Sequence, residues 1–511
     1  MPQEWDAVVV TGIPGRGFIA ARRPAVRHRR VRAASTPETV ALVVVVSANL
    51  AIKLHAAGAD GVWLDEALSI HVAQAPVSLA TLAAHEPTPP LYYLLLCGWV
   101  RLFGGTIESA RILSVVLSTA TAALLLDLGW RHFDRETGIF AAALFTTSRL
   151  QIYYGHEARG YALVGLLCVA SFDLFLALAA RPTWRKAIAL AVVNAALAYA
   201  HYVAVLALVA QLAGALVLGR RGCRFVPIYL ASQGLAALLF APQLHALVRD
   251  GVTQKDWIGP PTLGRARYVV KRFAGNSTLL LLYGIVAVAT AWARHRLWPR
   301  VARQADTGKL VVLALWAFAP VALAYAASFA REMLAERYVL YASLGMYLLV
   351  AYVIALAPVA RVQRVMLAAV LAALALHEAL ANPMQRHDWR AATAIVRTEE
   401  QHGATVVVAP SWHFRPLAYY LDRVAFRDQA HTRARLAARG VVLTEDVRAL
   451  RLEPRRHVLV LAPEVAPSAS GTRTWLEEQG FRVVLEEKLR GLTLLVIEPR
   501  AHPTAALRNR D

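Results

Sequence analysis

Asp65 and Glu66, adjacent in the string GVWLDEALSI, and His85 and Glu86 further on, stand in the stretch Gly58 to Arg111 of a chain that otherwise keeps carboxylates out of its apolar parts. A carboxylate at the edge of a bilayer is partly desolvated, which raises its proton affinity and suits it to take a proton from an attacking hydroxyl. Asp65 is the candidate base. Glu66, His85 and Glu86 are the further candidate site residues of this stretch. The plain alternative is a wet loop beside a span, in which such acids are simply solvated.

The elements that must position these residues are read from composition and charge. Of 511 residues, 57% are hydrophobic and only 17% charged, and the mean hydropathy is +0.44. A soluble chain carries nearer a quarter charged residues, so the deficit points to a polytopic α-helical membrane protein. The basic run RRPAVRHRRVR before the apolar stretch Val40 to Ala57 places the N-terminus inside and Gly58 outside. That stretch reads as an uncleaved anchor, a cleaved signal peptide being the alternative. Leu91 to Phe103 is too short for the ~20 residues of a span and is expected to lie along the membrane surface. Further spans are expected at 109–129, 137–153, 161–180, 187–202, 203–219, 225–243, 276–293, 310–329, 338–357 and 364–381, about eleven in all. The clusters RPTWRK, RRGCR, ARHRLWPRVARQ and ARVQR then fall inside, and 58–108, 154–160, 244–275 and 328–337 are outside loops.

From about Asn382 the periodicity changes. ATVVVAP, HVLVLAPE, FRVVLEE and LTLLVIEP alternate with helical stretches, which predicts a small soluble α/β domain outside the membrane. The expected organisation is a basic cytoplasmic segment 1–38, a membrane domain 39–381 with its outside loop 58–108, and an extracytoplasmic domain 382–511. No Gly-rich phosphate loop occurs in the last.

Net charge is +21, but the arginines are dispersed between apolar segments without an aromatic-interleaved patch, so nucleic acid is not an expected partner. Cys97, Cys168 and Cys223 lie in or beside apolar segments and assemble neither a disulfide framework nor a thiolate site. His71, His85 and His156 have no recognised metal spacing, so no metal or other cofactor is expected, although nearby acids leave a divalent ion open.

Three blocks carry a family resemblance: WLDEALS, then EPTPPLYYLLLCGWVRLFG with SARILS behind it, then YYGHEARGYAL at Tyr153 to Leu163. Together and in this order they resemble membrane glycosyltransferases of the GT-C class, in particular the protein O-mannosyltransferase and lipid A aminoarabinose transferase group. Relatives carry His within the motif where Thr88 stands here, and His85 is the neighbouring histidine that would have to take its part. The resemblance implies a polyprenyl-phosphate monosaccharide donor, an acceptor in the cell envelope, inversion at the anomeric carbon and residence in the bacterial cytoplasmic membrane. It implies that Asp65 deprotonates or orients the acceptor hydroxyl, that Glu66 supports the loop or binds sugar, and that Glu86 is a second acid near the acceptor. Arg159 in HEARGY and Arg337 in ERYVLY match arginines of relatives, where a planar, permanently charged fork of donors suits a phosphate. Tyr154, Glu157, Tyr161 and Tyr338 are the accompanying substrate-binding candidates, and Arg265, Arg267, Lys271 and Arg272 are further cations on an outside loop. A structural pairing of Arg159 with Glu157 is the alternative for that arginine. The competing functions are a transporter or flippase of lipid-linked sugars, whose signature is ionisable residues deep in spans such as Asp127 and Asp173, and a noncatalytic membrane scaffold.

Overall fold

Inside a bilayer only a helix satisfies every backbone donor and acceptor within one segment, so the long apolar runs fold as helices. The computed structural model describes residues 36–59, 61–74, 89–219, 224–250, 258–296, 306–384, 386–428, 430–462 and 469–500. Residues 41 onward form one unit. The helices are α1 (Thr36–Ala59), α2 (Leu64–Ala73), α3 (Leu91–Phe103), α4 (Ile107–His132), α5 (Arg135–Thr147), α6 (Arg149–His156), α7 (Tyr161–Ala180), α8 (Trp184–Ala200), α9 (Val205–Gly219), α10 (Phe225–Asp250), α11 (Leu263–Ala274), α12 (Ser277–Arg296), α13 (Thr307–Ala327), α14 (Ala342–Ala355) and α15 (Arg361–Ala381). Among the described residues, 8 helical stretches are long and apolar enough to cross a membrane. The protein is a multi-pass membrane protein.

Three of the stretches read as spans fold differently. The stretch 137–153 breaks at Ser148 into α5, of 13 residues, and α6, of 8. Ser148 leaves the helical region with ψ 125°, and its hydroxyl accepts the Gln151 N–H at 3.4 Å, the local competition by which a serine ends one helix and caps the next. The stretches 187–202 and 338–357 become α8 and α14, of 17 and 14 residues. The stretch 58–108, expected as an outside loop, contains the helices α2 and α3 among its described residues.

Close approach of small residues packs the membrane domain, as expected where lipid leaves no hydrophobic drive between helices. A Cβ on Gly129 of α4 would lie 2.3 Å from Gly138 Cα of α5, and one on Gly345 would lie 2.7 Å from Trp316 Cγ. Trp316 in turn stacks on Phe172 at 3.9 Å. A buried amide network crosses the bundle: Asn194 donates to Gln233 Oε1 at 3.1 Å and Gln211 to Ser171 Oγ at 2.6 Å. Asp173, the acid that would mark a transport path, is matched by Arg131 at 3.1 Å and His132 at 2.9 Å.

The C-terminal part runs α16 (Trp389–Gln401), β1 (Thr405–Ala409), α17 (Phe414–Leu421), α18 (Arg423–Arg427), α19 (Thr432–Ala438), β2 (Val441–Leu443), β3 (His457–Leu461), α20 (Ala469–Glu478), β4 (Phe481–Leu489) and β5 (Leu492–Pro499). The sheet order is β2-β1-β3-β5-β4. β1 pairs in parallel with β2 and β3, so its five residues are all buried and read as an unbroken apolar run. β5 and β4 form an antiparallel edge hairpin in which β4 is half exposed. The strand not anticipated from sequence is β2, whose 3 residues are too few to show a period.

Candidate active site

α2 opens after Trp63 and carries Asp65 and Glu66 in its first turn, where the positive end of the helix dipole favours carboxylates. Neighbours on a helix point about 100° apart, so the two acids diverge. Asp65 faces a cavity of about 50 Å³ that it lines with Pro89, Tyr92, Tyr93, Arg159, Tyr161, Arg337 and Tyr338, among others. Arg337 Nη1 donates to Asp65 Oδ2 at 3.3 Å and Arg159 Nη2 lies 3.9 Å from Oδ1. The surroundings expected for Asp65, an apolar membrane edge, are therefore replaced by two guanidinium groups. Arg159 also donates to the Tyr93 hydroxyl at 2.6 Å, and Arg337 lies over the Tyr338 ring at 5.7 Å.

Glu66 turns the other way and is fully buried. Arg111 grips it with Nε at 2.9 Å and Nη2 at 2.6 Å, Arg386 adds Nη1 at 3.2 Å, and the Ala158 N–H donates at 3.1 Å. Burial alone would push this carboxyl up, but the Arg386 and Arg111 charges outweigh it and hold it down at about 2. Of the two readings of Glu66, the geometry is that of a support. It ties the helix bearing Asp65 to the turn bearing Arg159.

Glu157 is fully buried and does not line the Asp65 cavity. It accepts from Trp63 Nε1 at 3.0 Å instead of pairing with Arg159. Burial pushes its carboxyl up to about 7, against the pull of Arg386 and with help from Glu66 and Asp65. A raised carboxyl pKa favours the folded state while the group keeps its proton. Stability from Glu157 is therefore full below its ordinary pKa of 4.5 and lost as pH rises through about 7. Glu157→Gln should flatten the dependence of the unfolding midpoint on pH across that window. An unchanged pH profile in the variant would show that Glu157 does not titrate there.

Tyr161 and Tyr338 line the Asp65 cavity. Tyr154 lies in the adjoining cavity of about 520 Å³ with Arg265, Glu336 and Arg337, where its hydroxyl donates to Glu336 Oε1 at 3.3 Å. Arg272 is committed to Glu336 at 2.8 Å, which leaves Arg267 and Lys271 on the wall of a larger apolar groove. His85 and Glu86 lie outside the described residues. His156 points its Nδ1 at the Ile152 carbonyl at 2.7 Å, and among the described residues no three His, Cys, Asp or Glu converge as metal ligands would.

Sequence reading missed Arg111, Tyr93, Glu336 and Arg386. Arg111 sits in SARILS and Tyr93 in PPLYYLLL, blocks already noted, but nothing in a string marks which neighbour turns inward. Arg386, in PMQRHDWR, had no signal.

Residues 87–245, about a third of the chain, match the family described as dolichyl-phosphate-mannose-protein mannosyltransferase. A search of curated proteins finds no match. Among solved structures, the chain is similar in fold to ArnT from Cupriavidus metallidurans bound to undecaprenyl phosphate, at 12% identity over 90% of this chain and 98% of that one, with a TM-score of 0.52. It also aligns with the Archaeoglobus fulgidus oligosaccharyltransferase in complex with zinc and sulfate, at 12% identity, 75% and 61% coverage and a TM-score of 0.46. The Archaeoglobus fulgidus AglB with an inhibitory peptide and a dolichol-phosphate aligns at 11% identity, 82% and 69% coverage and a TM-score of 0.43. These last two are too distant to bear on the site. The family match thus spans the turn that carries Arg159, and the chain shares the fold of ArnT over 90% of its length.

Proposed function

We propose that the protein moves a monosaccharide from a polyprenyl-phosphate donor to an envelope acceptor at the outer face of the bacterial cytoplasmic membrane, with inversion and with Asp65 as base. The observation that carries this reading is Asp65 flanked by Arg159 and Arg337 in one cavity. The neighbour in fold, ArnT, is named with undecaprenyl phosphate, a ligand of this kind.

A path for such a donor can be followed through shared residues. A groove of about 1370 Å³ between α11, α12 and α13 is walled by Leu281, Ile285, Val288, Trp292 and Phe318, all exposed, which suits an isoprenoid chain lying against lipid-facing helices. Gly264 and Tyr268 line both this groove and the cavity of Arg265 and Glu336, and Arg337 lines both that cavity and the Asp65 cavity. A donor phosphate reaching Arg159 and Arg337 competes with Asp65 for the two forks, and so releases the carboxylate toward the acceptor. The acceptor oxygen then bonds to the anomeric carbon and the carbon to phosphate-oxygen bond breaks with its electron pair. The acceptor proton passes to Asp65, and the guanidinium groups meet the charge left on the phosphate. The scheme assigns no cofactor to the step.

Purified protein in lipid discs, given a panel of polyprenyl-phosphate sugars with envelope extracts as acceptors, should transfer label from at least one donor and continue after treatment with EDTA. No transfer from any donor would refute the reading, and loss with EDTA would refute the cofactor-free scheme. Arg159→Lys and Arg337→Lys keep charge but lose the fork, so donor KM should rise about tenfold or more while the protein still folds. Unchanged donor dependence in both would reduce the arginines to structural partners of Asp65. The orientation proposed, N-terminus inside and C-terminal domain outside, makes a cysteine at the exposed Val424 reactive toward an impermeant thiol reagent in intact cells, and one at Thr183 silent. The reverse pattern would overturn the topology.

A further inference from the structure

The chain leaves the membrane domain after α15 and turns Arg386 back into the protein before α16 begins. Arg386 is fully buried. Its Nη1 donates to Glu66 Oε1 at 3.2 Å and its guanidinium lies over the Tyr153 ring at 4.8 Å. Glu66 is already held by both nitrogens of the Arg111 fork, and Arg386 also faces the buried Glu157, whose carboxyl it pulls down. What it adds is a fixed position, since it ties the segment leading into the C-terminal domain to the first turn of α2.

Other contacts from the same part of the chain act on the same helix. The Tyr420 hydroxyl accepts the Val62 N–H at 2.8 Å, just before α2. The Phe426 carbonyl meets His71 Nδ1 at 3.1 Å in its last turn, and the two rings lie 5.4 Å apart. The Tyr419 hydroxyl accepts the Ile107 N–H at 3.0 Å, at the start of the α4 helix that supplies Arg111. α2 is thus fastened before its start, within its first turn and in its last turn by residues of the C-terminal segment.

We infer that the C-terminal domain is a clamp on the helix that carries Asp65, and that Arg386 is a positioning residue for transfer, acting through Glu66. Glu66 Oε1 also receives the Ala158 N–H, one residue before Arg159. Arg386 therefore sets the place of the base relative to the cation that faces it. It lines neither the Asp65 cavity nor the donor groove, so its loss should disturb alignment and leave donor affinity in place. A misplacement of about 1 Å is enough to lower a rate by about 10²-fold.

The inference rests on Asp65 being the base, and the test separates the two. In full-length protein in lipid discs, Arg386→Met, which fills the volume without charge, should lower kcat by about 30-fold or more with donor KM within about threefold. Arg386→Lys should recover part of the loss. Arg386→Met combined with Glu66→Gln should be no slower than the slower single variant, because both act through one contact. Hydrogen exchange of peptides covering 64–73 should rise in Arg386→Met, while that of the strands 405–409 and 457–461 stays as in wild type. A kcat within threefold of wild type, additive effects in the double variant, or recovery absent with lysine would overturn the positioning role. If wild type transfers no sugar from any donor, the reaction assignment fails. The exchange of 64–73 then decides the clamp alone, and no change in Arg386→Met overturns it.

Discussion

Asp65→Asn should lower kcat by about 10²- to 10⁴-fold, the range a well-placed general base contributes. The replacement is nearly isosteric and still accepts from Arg337, which lies 3.3 Å from Oδ2 in wild type, so α2 and the cavity should persist. What disappears is the capacity to take the acceptor proton. Turnover measured beside lipid-donor binding checks it: binding retained with turnover gone is the expected pair. Turnover within about threefold of wild type would place the base elsewhere, with Glu86 as the next acid to test.

Arg111→Met should destabilise the folded protein by about 3–5 kcal/mol, the effect of removing one partner of a buried ion pair, with Arg386 left as the remaining cation on Glu66. Arg111 is 1% exposed and Glu66 0%. Beyond Glu66, Arg111 donates to the carbonyls of Ala57 at 2.7 Å and Gly61 at 2.8 Å, so the substitution orphans the end of α1 and the approach to α2 together. Because Glu66 is held down at about 2, its contribution is present above its ordinary pKa of 4.5 and is lost as pH falls through about 2. The variant should therefore unfold at a lower temperature at neutral pH, with the gap to wild type narrowing in acid. A gap that stays constant from neutral pH into acid, or no gap at all, would show that the pair does not hold the helix.

Glu66 and Glu157 illustrate how two carboxyls of equal burial part ways. Both are fully buried. Glu66 meets two guanidinium groups and is held low, whereas Glu157 has the Trp63 indole and a carboxylate neighbourhood and is pushed up to about 7. Neither fate is written in WLDEALS or HEARGY, since each depends on which cations arrive from elsewhere in the chain. The same holds for Asp65, whose two cations come from positions 159 and 337.

What could be read without coordinates was whatever repeats along the chain. Apolar runs marked the eight helices able to cross a membrane, because hydrocarbon thickness sets their length. Four of the five strands announced themselves as short β-branched runs. The blocks that carry Asp65, Arg159 and Arg337 were recognisable, and the fold brings those three side chains into one cavity. Local chemistry against the average pattern misled the reading at Ser148, where one hydroxyl ends a helix that hydropathy would have continued. Only the tertiary structure decided that adjacent Asp65 and Glu66 meet different surroundings, because about 100° of helical rotation separates their directions while a string keeps them side by side. Only it brought Arg386 to Glu66 across 320 residues, since a contact of that separation has no local period, propensity or spacing to announce it.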